Sequence, residues 1–479
     1  MGFPRDDQGR GAKLLDGLGP PATARGFPFL GDRAVALSHP ASPVDQDPGG
    51  WAARHGPGPV SGHGSPAPGP RVLRPGHLLR GRRLRGTPLR GPGGTLGSRS
   101  RAAGRAGLYI HFPFCEAKCP YCHFYSVPWS AAGCRAWLEA LGKEAETAAA
   151  EEAAGLRFDT LYVGGGTPSL LEADDVSAIL DLASSRFRLE MAEFTLEANP
   201  GRGAAEERLK GWREAGVTRL SVGAQSFDDG ILRRLGRMYG AAEAVAFCRS
   251  ARAAGFESLS VDLMIGVPGE MPETVGRTIE TLIGLEPDQV SLYFLENVED
   301  LPFAKVLEKR PVDEDAAVES YERASAALEA AGLRRYEISN FARPGQECLH
   351  NLKYWRYEPY LGLGPSACSH VELRRWCNVA SLDGWAEAVG RGGSAAAREE
   401  TIELTAKLAA REALVFGLRL VQGVNVVELG ERLGIDVRRV FAREIEALVA
   451  EGLLVGAGPR LCIPEDKLLI SNAILSRLV

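Results

Sequence analysis

Residues 108–124, LYIHFPFCEAKCPYCHF, decide how this chain is read. LYIHF is a short apolar and aromatic run of strand character, and CEAKCPYC then sets Cys115, Cys119 and Cys122 on one loop directly after it. Outward from that loop the pattern alternates. WLEALGKEAETAAAEEAA reads as a helix, FDTLYVGGG as a strand with a Gly-rich end, DDVSAILDLASSRF as a helix and EFTLEAN as a strand. AEERLKGWREAG, TRLSVGAQS, AAEAVAFCRSARAAG, ESLSVDLMIGVPG, TVGRTIETLIGLEP and QVSLYFLE continue the alternation. Six strands, each followed by a helical segment, predict an α/β protein built as a partial (β/α)6 parallel barrel. In such barrels the chemistry gathers at the C-terminal strand ends, so Gly164–Pro168, Glu197–Pro200 and Asp262 are expected on one rim.

Past about residue 370 the alternation stops. VNVVELGERLGI and VRRVFAREIEALVAEGLL read as two helices and LVGAGPRLCIP as a hairpin, a smaller C-terminal domain over 371–479 that is α-helical and winged-helix-like. Its charges are mixed, which argues for packing rather than nucleic-acid binding. At the other end, residues 1–105 hold 22 of the 57 glycines, 15 of the 30 prolines and 16 Lys plus Arg against 6 Asp and no Glu. A Gly/Pro/Arg segment with few apolar runs cannot offset its ordering entropy, so this extension is expected to be disordered, or to be translated upstream DNA with the true start near residue 106. That leaves 106–370 as the barrel. No run approaches the 18 or so apolar residues of a membrane span, and no signal-peptide core is present, which predicts a cytoplasmic protein.

Nine Cys in a chain of 479 residues make no disulfide framework; the three clustered ones carry the chemistry. Thiolates spaced x3 then x2 suit three irons of a 4Fe-4S cluster, leaving a fourth iron open to a chelating ligand such as the amino and carboxylate groups of S-adenosylmethionine. Zinc with His123 as fourth ligand is the alternative on local ligand count. Cys134, Cys248, Cys348, Cys377 and Cys462 have no spacing that suggests a second cluster.

The ordered set YIHFPFC, VGGGTPSLL, LEANPG, GVTRLSVGAQSFDDGILRRLGR, VDLMIGVPG, YEISNFARPG, HNLKYW and YLGLGPSA resembles the radical S-adenosylmethionine superfamily, in its oxygen-independent coproporphyrinogen III oxidase-like branch. The resemblance implies a 4Fe-4S cluster on Cys115, Cys119 and Cys122. It implies that Gly165, Gly166 and Thr167 receive the methionine end of S-adenosylmethionine and Glu197 its ribose side. Tyr109, Tyr121, Gln225, Arg237 and Asp262 fall on the branch's other cofactor-contacting positions. The residue types suit these roles, because Gly permits close backbone approach and Arg can pair two bonds with a carboxylate.

Within the branch, the dehydrogenases carry a further Cys two residues past the third cluster ligand. Here that position is Phe124. The sister group, the heme chaperones called HemW, has an aromatic there and a later HNxxYW motif, matched by His350, Asn351, Tyr354 and Trp355. Resemblance to that group implies heme as cargo, with His350 offering an axial ligand and Tyr354 and Trp355 offering flat faces to the porphyrin. It further implies delivery to heme-accepting proteins such as respiratory enzymes, with room for a homodimer and for peripheral membrane contact but no nucleic acid. Oxidative decarboxylation of coproporphyrinogen III is the enzymatic alternative. Three positions depart from the branch pattern: His123 stands for Asp, Tyr239 for the His of GRxH, and Cys368 for the His of Ala-His-Ser. Cys368 reads as a buried small side chain in preference to an iron ligand.

Overall fold

The computed structural model describes residues 105–201 and 206–479; the expected disorder of 1–105 falls almost wholly outside them. Six strands, β1 (Arg105–Phe112), β2 (Arg157–Gly165), β3 (Leu189–Ala198), β4 (Arg219–Gln225), β5 (Ser258–Ile265) and β6 (Gln289–Phe294), lie parallel in the order of the chain. Between them run the helices α1 (Ala131–Glu151), α2 (Ala173–Arg186), α3 (Glu206–Glu214), α4 (Ala241–Ala253) and α5 (Pro272–Ile283), and α6 (Glu314–Ala330) follows β6. This is the expected α/β partial barrel.

The strands explain their own placement. One alternate set, Leu161, Leu196, Leu220, Val261 and Leu292, is apolar and enters the main hydrophobic core with Trp137, Ile179, Trp212 and Phe247 of the helices. The other set is polar on strand after strand: Thr160 and Tyr162, then Glu193, Thr195 and Glu197, then Arg219 and Ser221, then Ser260 and Asp262, then Gln289 and Ser291. The in-register pairs Thr195 with Arg219, Glu197 with Ser221, and Asp262 with Ser291 hold these on one face. A strand side-chain period of two therefore yields a packed apolar exterior and a polar lumen.

The sheet does not end with the barrel. The strand β7 (Asn340–Ala342) lies antiparallel to β6, the short helix α7 (Leu349–Trp355) follows, and β8 (Tyr360–Leu363) adds parallel to the other side of β1. Beyond it come β9 (Cys368–Val371), β10 (Arg374–Asn378) and β11 (Arg398–Glu403), all antiparallel, in one 12-stranded sheet. The break expected at residue 371 thus falls inside this sheet, because backbone pairing carries the hairpin on from the edge that β1 and β8 provide. Cys368 and Cys377 stand opposite each other across β9 and β10 and are joined as a disulfide. Cys368 is buried, as expected, and the link adds a partner that the sequence reading did not foresee and gives Cys377 a structural role; the spacing gives no hint of the pair, which the antiparallel register creates.

A second core, with Leu414, Phe441, Leu448 and Leu461, organises the C-terminal part. There α8 (Ala406–Gly417) packs with α9 (Val426–Leu433), α10 (Val437–Val440) and α11 (Ala442–Ala450), and a small three-stranded sheet closes with the hairpin Val455–Ala457 and Arg460–Cys462. The helix expected from 437 onward breaks at Phe441, whose φ of −113° and ψ of 26° interrupt the helical run.

Candidate functional site

The cluster loop is anchored by its backbone. Val127 donates to the Pro113 carbonyl (2.7 Å) and Trp129 to that of Cys115 (2.9 Å), so the loop leaves and rejoins the barrel at β1. Inside it, Cys122 N–H donates to the Cys119 carbonyl at 3.0 Å. The next loop, after β2, is tied to the first: Gly166 N–H donates to Phe112 O (2.7 Å) and Thr167 N–H to Phe114 O (2.8 Å), while Thr167 Oγ1 donates to Cys115 Sγ at 3.3 Å. Gly166 is required by space, since a Cβ there would lie 2.4 Å from the Phe114 carbonyl oxygen. Gly165 is required by conformation, with φ of +117°.

Cys115, Cys119 and Cys122 line a cavity of about 910 Å3 at the C-terminal ends of the strands. That volume is at the upper end of the roughly 300–1,000 Å3 usual for a small-molecule site. Tyr121, Gly165, Gly166 and Thr167 line it too, and so do Glu197, Gln225, Arg237 and Asp262. Glu197 accepts from Tyr162 Oη (2.8 Å) and Gly165 N–H (3.0 Å), yet burial pushes its carboxyl up to about 7. Burial also raises Asp262, against the bonds from Ser291 and Ser221. Arg237 donates to Asn199 Oδ1 (3.1 Å) and its guanidinium lies 5.8 Å from the Tyr121 ring centre and 5.7 Å from that of Tyr239. Tyr239, in the place of an expected His, donates to the Gly223 carbonyl at 2.5 Å.

Several buried polar atoms around this cavity have no protein partner: Tyr121 Oη, Gln225 Oε1, Arg237 Nε and Asn351 Oδ1. Such orphans are costly unless a ligand or water meets them. Together with three thiols on one loop and a glycine cradle that no Cβ could enter, they fit a cluster and a polar, zwitterionic cofactor.

Two expectations differ from what the structure places. Tyr109 does not line the cavity. It lies beneath it, wholly buried, its hydroxyl paired with His111 Nδ1 at 3.0 Å and its ring against Tyr162 and His350. The HNLKYW segment lies in α7, which plugs the barrel from below. Glu193 of β3 accepts from the Leu349 and His350 backbone N–H groups at 2.9 and 3.1 Å and so caps this helix. His350 is 1% exposed, with Nδ1 on Thr160 Oγ1 (2.8 Å) and Nε2 on Tyr354 Oη (3.0 Å); burial pushes its pKa down to about 3. Trp355 faces the other way, into the C-terminal core, with the Arg419 guanidinium 5.3 Å from its ring centre. The four residues expected to cradle heme therefore do not form one open surface, because consecutive helical positions diverge by about 100°. Asn351 alone of the four reaches the cavity. Asn199 lines it within the expected rim segment Glu197–Pro200, while Arg219, Ser221 and Ser291 also line it and were not singled out from the sequence; their signal was the polar alternation in TRLSVGAQ and QVSLYF.

The chain is similar to known proteins over both parts. The Radical SAM superfamily matches residues 109–282 and the HemN C-terminal domain matches 404–466. The heme chaperone HemW of Bacillus subtilis is 32% identical over 372 residues, 76% of this chain and 97% of that protein. The heme chaperone HemW of Mycobacterium tuberculosis is 35% identical over 380 residues, 78% of this chain and 94% of that protein. Among solved structures, the coproporphyrinogen III oxidase HemN of Escherichia coli superposes with a TM-score of 0.69 at 24% identity, covering 79% of this chain and 90% of that one, which shows a shared fold. With the cysteine loop, glycine cradle and polar rim in one cavity, and identity extending over nearly the whole length of these relatives, this chain belongs to the HemW family within the radical S-adenosylmethionine superfamily.

Proposed function

We propose that this protein is a heme chaperone, which binds heme and passes it to heme-requiring acceptors such as respiratory enzymes, in the cytoplasm. The observation that carries the reading is Phe124 on the wall of the cavity, where the dehydrogenases of the branch carry a thiol. An aromatic ring at that place offers an apolar face to a flat cargo and removes a sulfur from the redox site. The relatives named heme chaperones, matched over 94–97% of their length, support the same reading. So does the cavity's rim, where Met238 is 68% exposed beside the half-buried Arg237. No helix among the described residues is long and apolar enough to cross a membrane.

In this reading Cys115, Cys119 and Cys122 hold a 4Fe-4S cluster, which together with S-adenosylmethionine supplies one-electron chemistry when bound. The glycine loop admits the cofactor's methionine end, Glu197 accepts from a ribose hydroxyl, and Arg237 neutralises a carboxylate. The buried helix α7 sets the floor of the barrel instead of ligating iron. Heme is received at the mouth of the cavity, where Phe124 and Met238 lie. The test is an anaerobic heme titration of the cluster-reconstituted protein, followed by its Soret band, and then transfer to an apo-acceptor. Saturable binding with transfer, and no vinyl product from coproporphyrinogen III, is expected. No saturable binding, or turnover of coproporphyrinogen III, overturns the reading.

A further inference from the structure

The lumen holds a cation with no use in the site described so far. Arg219 is the first residue of β4, is 3% exposed, and reaches the cavity one layer below Glu197. One of its nitrogens, Nη2, donates to Gln289 Oε1 at 2.8 Å, while Nε and Nη1 have no partner. The carboxylates around it are committed elsewhere. Glu193 caps α7, Glu197 is held by Tyr162 and Gly165, and Asp262 sits with Ser221 and Ser291. A buried guanidinium left with two unmet nitrogens is expensive, and a protein could remove the cost by replacing it with an apolar residue. Nη1, together with the second hydrogen of Nη2, forms the kind of fork that pairs side by side with a carboxylate.

We infer that Arg219 is the floor of a second, anion-binding subsite, which takes a carboxylate of the cavity's guest beneath the place of S-adenosylmethionine. Resting on the heme reading above, that carboxylate is a propionate of the porphyrin. One edge of the porphyrin then enters from the mouth near Phe124, with its propionate directed down the polar lumen past Ser221 and Ser291 toward Arg219. Asn351, whose Oδ1 is also without a partner, lines the same cavity from α7, and its backbone meets the Cys348 thiol, which in turn feels the charge of Arg219. This gives α7 a part in guest binding that its buried histidine does not.

The test titrates the full, cluster-reconstituted chain with heme and with heme dimethyl ester, in the wild type, Arg219→Gln and Arg219→Lys, with the thermal transition and cluster absorbance recorded for each. The wild type is expected to bind the diacid at least tenfold more tightly than the ester. In Arg219→Gln the ratio falls toward one while ester affinity is kept, and Arg219→Lys, which retains charge without the fork, falls between. A wild-type ratio of one overturns the inference without any variant, and so does an unchanged ratio in folded Arg219→Gln or Arg219→Lys. Failure of the wild type to bind either compound saturably overturns the heme reading itself, a result distinguishable from the other two.

Discussion

Replacing Gly166 by Ala tests whether the glycine loop and the cluster loop are one unit. The added Cβ would sit 2.4 Å from Phe114 O, 2.8 Å from its C and 2.9 Å from its N, where ordinary contact begins near 3.4 Å. All three are backbone atoms, so no rotamer change relieves the clash, and the loops must part by about 1 Å. Parting lengthens the Gly166–Phe112 and Thr167–Phe114 hydrogen bonds, each worth about 0.5–1.5 kcal/mol net, so the cost is about 1–3 kcal/mol, the range seen for overpacking. The lower entropy of the unfolded Ala chain returns roughly 0.4–1 kcal/mol, leaving a net loss of about 1.3 kcal/mol at mid-range. Gly142→Ala is the control: it lies in α1 with nothing within 4 Å of the point where a Cβ would stand, and gains about 0.5–1 kcal/mol. The assay is chemical denaturation of both variants without cluster, then iron per chain after anaerobic reconstitution. Gly166→Ala should lose stability and also iron, since Thr167 no longer holds Cys115. Full iron and wild-type stability in Gly166→Ala would refute the coupling, as would equal damage in Gly142→Ala.

His350→Ala removes two buried hydrogen bonds and a packed ring, and is expected to cost about 2–4 kcal/mol of stability by denaturation. Its folded fraction should keep the wild-type Soret band; loss of that band from folded protein would restore His350 as an iron ligand. With Glu197 titrating near 7, its ionised fraction rises about tenfold from pH 6 to pH 8, and the ionised form is the stronger acceptor. Affinity for S-adenosylmethionine should therefore rise by up to about tenfold over that window, and isothermal titration of Glu197→Gln should show no such rise. The Cys368–Cys377 disulfide closes a loop of sequence separation 9, which by chain entropy is worth about 2–3 kcal/mol. Alkylation and mass spectrometry before and after reduction should show this pair protected, and the Cys368→Ser, Cys377→Ser double variant should lose that stability; full alkylation of unreduced protein would count against the link.

The barrel was legible because its signal is periodic. Polar residues recur at every second position of otherwise apolar strands, and Gly or Asp ends mark the rim, so the sheet and the rim positions of Glu197 and Asp262 could be read together, while Gln225 came only with the family resemblance. Arg219 escaped because a charged residue at a strand's start looks like a solvated end until the register places it in the lumen. The side strands escaped for another reason: Tyr360–Leu363 is only four residues long, and nothing local says that it pairs with a strand some 250 residues earlier. His350 was assigned by motif, and a motif does not reveal which side of a seven-residue helix faces the barrel. Leu352 and Trp355 belong to one core and Asn351 to a cavity, a division that only packing decides.

The insertion of β1 between β2 and β8 also sets a timetable. Gly107 pairs with Thr160 on one side and Tyr360 on the other. At about 5–20 residues per second, the ribosome needs roughly 10–40 s to make the 200 or so residues that separate those two neighbours. Throughout that interval the strand that leads into the three thiols has an open flank, able to accept a foreign strand. Iron–sulfur loading during synthesis would thus act on a half-built sheet, and the nascent chain is best served when its metal arrives after residue 363 has emerged.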